Sequence, residues 1–359
     1  VSAYYNCLDS LRGIAILLVI LQHMLPPNTW IRQVIPLGAY GSHMFLFQSG
    51  LLITLGLLRI KNEISDGNKT NCLGMKEYIV KRLLRILPVY LVFLIIAYTL
   101  SYPAQVRSSL VWHLFFMSNV KFGLMGSAIN DFGHLWMLSV IVQFYLIWPF
   151  IVLIVPLKLL PKAIVVAIVG SLIYKAVSLL FGVNWEWALH QLPSCFDTIG
   201  LGALLAYALH TCRDKWLDGL ISFKFLLAIL LMNTILIIMY AHIDFKLSIT
   251  FLSIVYGSLN YLVISLLCCW LVAVMLHEKK WQMKKIVELP PLPLIGVLSY
   301  GMYLFHPYAA VCGNYLNSLL SMKPSIGAKI VQDIAISITV AGILRIGVEM
   351  PFNRLMRKQ

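Results

Sequence analysis

Charge is scarce in this chain. Asp, Glu, Lys and Arg make up 12% of its 359 residues, about half the share a soluble domain carries. Hydrophobic residues reach 60%, and the mean hydropathy is +0.86. That balance excludes a soluble core and fits an all-α, polytopic membrane protein whose first partner is the lipid bilayer. Acids are scarcer still, 14 against 28 Lys plus Arg. In a membrane protein such an excess of cations is read by position before any nucleic acid is invoked, and no nucleic-acid partner is expected. The seven cysteines are odd in number and form no C-x-x-C pair; Cys195, Cys268, Cys269 and Cys312 lie inside apolar runs. They read as small core side chains, not as a disulfide framework or zinc site. No two histidines stand four apart and no carboxylate accompanies His23 or His306, so no metal is expected. The first apolar run holds Arg12 and His23 and meets Pro26-Pro27 without a small-residue cleavage pattern, so it is expected to stay in the membrane. There is no internal repeat or low-complexity tract, and residues 1–359 read as a single domain.

What the chain has in plenty is long apolar runs. They fall near residues 10–26, 37–58, 78–100, 134–155, 163–181, 195–211, 225–241, 250–276, 294–316 and 328–348, each long enough to cross a bilayer. The longest connection, 101–133, contains Trp112 to Met117, which reads as a short interfacial or re-entrant helix. Counting the ten runs alternately puts Arg59, Lys61, Lys69, Lys76, Lys158, Lys162, Arg213, Lys215, Lys224, Lys279, Lys280, Lys284, Lys285, Arg354, Arg357 and Lys358 on one side. The other side receives only Arg32, Arg107, Lys121, Lys246, Lys323 and Lys329. The positive-inside rule makes the first side cytoplasmic, with both termini there. The glycosylation-like Asn68-Lys69-Thr70 then falls in a cytoplasmic loop and is silent.

Ionisable side chains in hydrocarbon are costly and mark function. Arg12 and His23 are eleven residues apart; eleven steps turn through about 1100°, roughly 20° past three turns, so the two share a helix face. They are separated by about 16 Å along the axis, half of a hydrocarbon core of roughly 30 Å. Depth sorts the remaining groups into two layers. The inner one is cationic: Arg12, Arg82, Arg85 and Arg345. Guanidinium forks suit phosphate, so this cluster is a candidate mouth for a polyphosphorylated cofactor, although headgroup snorkelling explains Arg82 equally well. The outer layer holds four imidazoles at similar depth, His23, His43, His306 and His134. Imidazole near neutrality can take a proton from a hydroxyl and return it, as acyl transfer to an alcohol requires. Lys175 and Asp197 read as a structural pair.

Several stretches together resemble a known family. Leu8-Asp9-Ser10-Leu11-Arg12-Gly13-Ile14-Ala15 followed by His23 is similar to the opening signature of the membrane-bound acyltransferase 3 family. Gly41-Ser42-His43-Met44-Phe45 leading to Ser49-Gly50 resembles its second-helix motif, and Lys81-Arg82-Leu83-Leu84-Arg85-Ile86 with Pro88 and Tyr90 its basic third-helix motif. His134-Leu135-Trp136 through Ser139 to Gln143-Phe144-Tyr145-Leu146-Ile147-Trp148-Pro149 resembles the fourth. Ser299-Tyr300-Gly301, Tyr303-Leu304 and His306-Pro307, then Glu349 with Pro351-Phe352, resemble the last two.

The resemblance implies transfer of an acyl group, usually acetyl, from cytoplasmic acyl-CoA to a glycan or small-molecule acceptor of the cell envelope, at the cell membrane. It implies His23 as the catalytic histidine, with His306 and His43 as further catalytic candidates. It implies Arg12, Arg82 and Arg85 near the CoA; Arg345 joins them by depth, and His134, Trp136, Gln143 and Tyr145 are the acceptor-binding candidates. Two positions depart from the family pattern. Ile141-Val142 stand where many members have glutamates, and His43 stands where an aspartate is common. Asp9, Asp197 and Glu349 are the remaining acids that could orient the histidine, and depth argues against Asp9 and Glu349 touching it. A secondary transporter, or a flippase-like component of polysaccharide assembly, is the rival reading, since transporters also need buried charge. The visible lack of an inverted repeat weighs against it.

Overall fold

The computed structural model describes residues 2–100, 104–125, 132–211, 219–242, 251–276 and 289–356. Among these residues the regular elements are helices. They are α1 Ser2–Met24, α2 Trp30–Val34, α3 Leu37–Ser65, α4 Asn71–Leu100, α5 Ala104–Leu114, α6 Ser118–Met125, α7 Leu135–Ile154 and α8 Leu160–Leu180. There follow α9 Trp185–His190, α10 Leu192–Thr211, α11 Phe223–His242, α12 Phe251–Leu276, α13 Leu292–Leu319, α14 Ile326–Leu344, a π-helical turn Arg345–Glu349, and α15 Met350–Met356. Nine helices among the described residues are long and apolar enough to cross a membrane. They coincide with nine of the ten apolar runs, and the tenth run is α4, whose first half carries Lys76, Glu77, Lys81, Arg82 and Arg85. The chain is a multi-pass, all-α membrane protein. Large apolar side chains such as Ile95, Val166, Leu231 and Val331 are exposed, as lipid-facing positions must be.

The chain forms two compact units. One comprises Val1–Met44, Lys81–Ser101 and Lys279–Gln359, the other Phe45–Val80 and Tyr102–Glu278. The first is organised by small residues that let helix backbones touch, the usual device where lipid removes the hydrophobic drive for association. A Cβ on Gly13 would lie 2.5 Å from the Leu292 carbonyl oxygen, and one on Gly296 would overlap the backbone of Asp9. Fourteen residues past Asp9, the His23 ring meets His306, ten past Gly296. Helices α1 and α13 therefore run parallel. α4 runs with them: the Tyr300 hydroxyl donates to the Ile86 carbonyl at 2.8 Å, and Phe93 packs on Phe305 and Tyr308. α14 runs against α13, since Gly301 meets Ala341 and Asn317 donates to Gln332 at 2.9 Å. α3 enters against α1, with Gly38 beside Gln22 and Gly41 beside Ala15 and Val19.

These directions settle the count. Parallel α1 and α13 require an odd number of crossings between them, and six of the nine apolar helices lie there. Among the described helices α4 supplies the seventh, which agrees with ten apolar runs.

In the second unit polar groups stitch helices together. The Lys61 ammonium donates to the carbonyls of Val152, Leu153 and Val155 at 2.7, 3.1 and 2.6 Å, closing the carboxyl end of α7 with a cation. Lys61 thus belongs to the end of a helix and not to a loop. Lys175 and Asp197 pair at 2.5 Å with no exposure on either side chain, and the ammonium lies 5.4 Å from the Tyr261 ring. The Trp148 indole donates to Thr54 at 2.8 Å. The short helix expected over Trp112 to Met117 is instead two helices, α5 and α6. They break at Phe116, whose φ is 53°, because the His113 ring binds the Ser118 hydroxyl at 2.7 Å and Ser139 accepts from the Ser118 amide.

Candidate active site

His23 closes the last turn of α1. Its Nδ1 lies 2.8 Å from the Val19 carbonyl oxygen; a carbonyl only accepts, so Nδ1 carries the proton and Nε2 keeps its lone pair. His306 is set the same way, with Nδ1–H donating to Tyr303 O at 2.8 Å. The two rings stand 4.9 Å apart, tilted by 60°. His306 is fully buried. His23, at the end of α1, is exposed.

α13 serves as a ruler for the arginines. Arg12 lies between Asp9 and Gly13, which abut Gly296 and Leu292. Arg345 donates from Nη1 to Val297 O at 3.3 Å. Arg85 precedes Ile86, the residue bonded by Tyr300, and Arg82 is one turn before it. All four stand level with residues 292–300 of α13, on two helices, α1 and α4, and the π-helical turn. Glu349 is close enough to feel both Arg345 and Arg85, and Arg12 pairs with Asp9 at 3.2 Å. His306 is nine residues beyond Val297, about 14 Å, in agreement with the 16 Å or so along α1.

His43 does not share the His23 level. Gly38 faces Gln22 and Gly41 faces Ala15 and Val19, so His43 stands beside the Ala15–Ile16 turn, about 11 Å toward the arginine end. It is buried there.

The other four candidates lie in the second unit. Gln143 is held by its neighbours: Nε2 donates to Phe116 O at 2.8 Å and to Asn119 Oδ1 at 2.9 Å, while its Oε1 accepts from Asn119 at 3.3 Å. Asn119 also donates to Gln191 at 3.3 Å, so the amides lock α6 to α7 and to the α9–α10 junction. Trp136 packs on the His190 ring at 4.5 Å, and Phe122 meets the same ring at 5.1 Å. His134 lies 6.2 Å from Phe132, and Tyr145 is half-buried.

A family profile described as an acyltransferase domain matches residues 5–344. The chain belongs to the acyltransferase 3 family. The peptidoglycan O-acetyltransferase OatA of Listeria monocytogenes is 25% identical over 322 residues, 84% of this chain and 49% of that protein. The O-acetyltransferase OatA of Staphylococcus aureus strain NCTC 8325 is 23% identical over 325 residues, 84% and 50% of the two chains. A Staphylococcus aureus strain COL protein, named provisionally as an O-acetyltransferase, is 26% identical over 332 residues, again 84% and 50%. The chain thus spans about half the length of the curated relatives it matches. No solved structure gives a significant match.

Within the acyltransferase 3 pattern the structure separates packing from chemistry. Gly13, Gly41 and Gly301 are close helix contacts. Ile141 and Val142, where the sequence departs from the pattern it resembles, are buried and apolar. The ring of His23 is oriented by a backbone carbonyl, a task for which no acid is needed. Asp197 is committed to Lys175 and Asp9 to Arg12. Two residues escaped the sequence reading. Asp333 is fully buried against Gly313, with neither carboxylate oxygen hydrogen-bonded among the described residues; a lone acid inside the last apolar run was the available signal. His190 lies in no motif, and only the surrounding Trp185 and Trp187 hinted at it.

Proposed function

We propose that this chain is a membrane O-acyltransferase that moves an acetyl group from cytoplasmic acetyl-CoA to a hydroxyl of a cell-envelope glycan. The carrying observation is the pair of levels in the first unit: four arginines on α1, α4 and the π-helical turn at one height, and two imidazoles on α1 and α13 about 14 Å farther along. The relatives named for O-acetylation, one of them of peptidoglycan, support the acetyl group and the glycan. The lysine and arginine asymmetry supports cytoplasmic termini in the cell membrane, which makes the arginine level the donor side.

In this reading Arg12, Arg82, Arg85 and Arg345 hold the donor's phosphates through charge-assisted forks, and the thioester reaches toward His23. The His23 Nε2 lone pair takes the acceptor's hydroxyl proton as its oxygen bonds to the thioester carbonyl carbon. The C–S bond then breaks, and the imidazolium returns the proton to the thiolate, giving an ester and a free thiol. His306, with its tautomer set by Tyr303, flanks the reacting imidazole. His43, level with Ala15, lines the path between the two levels. Gln143, held by Phe116 and Asn119, positions α7 within its own unit.

Radiolabelled acetyl-CoA binding to purified chain in detergent tests the reading. Binding that is retained in His23→Ala, with transfer lost, is the expected result; no binding to the wild type would sink it in favour of a transporter.

A further inference from the structure

The first helix ends beneath an arginine. Arg32, on α2, donates from Nη1 to the Leu25 carbonyl oxygen at 2.6 Å, and it is half-buried. One N–H suffices to satisfy that helix end; a guanidinium has five. Among the described residues no carboxylate pairs with it. Its charge reaches His23, two residues before Leu25. The Leu25 carbonyl lies six residues, about 9 Å, past the Val19 carbonyl that anchors the His23 ring. The cation therefore stands beyond the imidazole, on the side away from the four arginines.

Two anions could meet it. The oxyanion formed during transfer develops beside His23 Nε2, and its stabilising donors must lie within about 3 Å of it. A guanidinium tied to Leu25, beyond the imidazole, is held by its own contact on the far side of the ring. A negatively charged group on the acceptor, held while the acceptor's hydroxyl meets His23, fits the placement.

We propose that Arg32 binds a carboxylate or phosphate carried by the acceptor, roughly one sugar residue from the hydroxyl that is acylated. This rests on His23 as the reacting base and narrows the acceptor to an anionic sugar.

The test uses the full chain in neutral phosphatidylcholine nanodiscs, with methyl glucuronide and glucose 6-phosphate as anionic probes and methyl glucoside as the neutral one. The wild type should bind at least one anionic probe about tenfold more tightly than the glucoside or better, the size of a charge-assisted hydrogen bond. Arg32→Gln should erase the preference, Arg32→Lys should keep part of it, and both should bind acetyl-CoA as the wild type does. Equal or undetectable binding of all three sugars to the wild type, or a preference that survives in Arg32→Gln, overturns the proposal. So does loss of the preference when phosphatidylglycerol is added to the nanodiscs, which would give the arginine to a lipid headgroup. Failure of the wild type to bind acetyl-CoA would instead count against the acyltransferase reading, with the sugar preference still measurable.

Discussion

His23 and Gln143 are both polar side chains on apolar helices, one in each unit, and the structure treats them oppositely. Gln143 has its amide nitrogen and oxygen engaged by Phe116 and Asn119. His23 has one nitrogen fixed by Val19 and the other left to accept. The same contrast runs through the cations. In the second unit Lys61 is surrounded by three carbonyls and Lys175 is closed onto Asp197. In the first, Arg345 and Arg32 each give one N–H to a carbonyl and retain the rest of the fork. Polar groups whose capacity is filled by the protein hold helices together; those with capacity left over can act on a ligand. Burial alone does not distinguish the two, but the count of filled bonds does.

The contrast can be broken experimentally. The largest effect is expected at His23: His23→Ala should lower the rate of transfer by about 10² to 10⁴, with acetyl-CoA affinity unchanged. Near-normal turnover there, with loss in His306→Ala, would move the base to α13. Next comes Lys175→Met, which strands a buried carboxylate and should cost about 3–5 kcal/mol of stability, whereas the double change with Asp197→Leu should recover most of it. Thermal unfolding in detergent reads both, and a single variant as stable as the double would deny the pair its structural role. Arg85→Glu should weaken acetyl-CoA binding by about ten- to a hundredfold, as loss of a charge-assisted bond does, without moving the unfolding temperature much. Gln143→Leu should do the reverse, costing about 1–3 kcal/mol by leaving its partners unsatisfied while the folded fraction keeps its acceptor KM. The smallest change is expected for Lys61→Met, about 1 kcal/mol for the lost cation at a helix end.

The spans and the Lys175–Asp197 pair were legible because each follows from local periodicity or from charge in an apolar run. What the sequence could not supply were relations between helices distant along the chain. The depth of His43 depends on where Gly41 meets Ala15, and depth counted from span ends missed it by about two turns. Gln143 carried a family motif and was read as facing the acceptor, yet its partners come from α6, where hydropathy suggested one short helix and not two. Asp333 and Arg32 lay outside every motif, and only the packing around Gly313 and Leu25 draws attention to them.

The backbone contact of Gly13 with Leu292, and of Gly296 with Asp9, has a consequence for how this protein can change. The contact seats the Arg12 end of α1 against α13, and Arg12 and His23 share one continuous helix, so the spacing from guanidinium to imidazole is a quantity the chain can alter only in whole residues. One residue inserted between Gly13 and His23 would swing the imidazole by about 100°, off the shared face. Four would bring it back nearly aligned but about 6 Å farther along. The reach demanded of a donor is therefore quantised, and drift in donor length by small steps is closed to it.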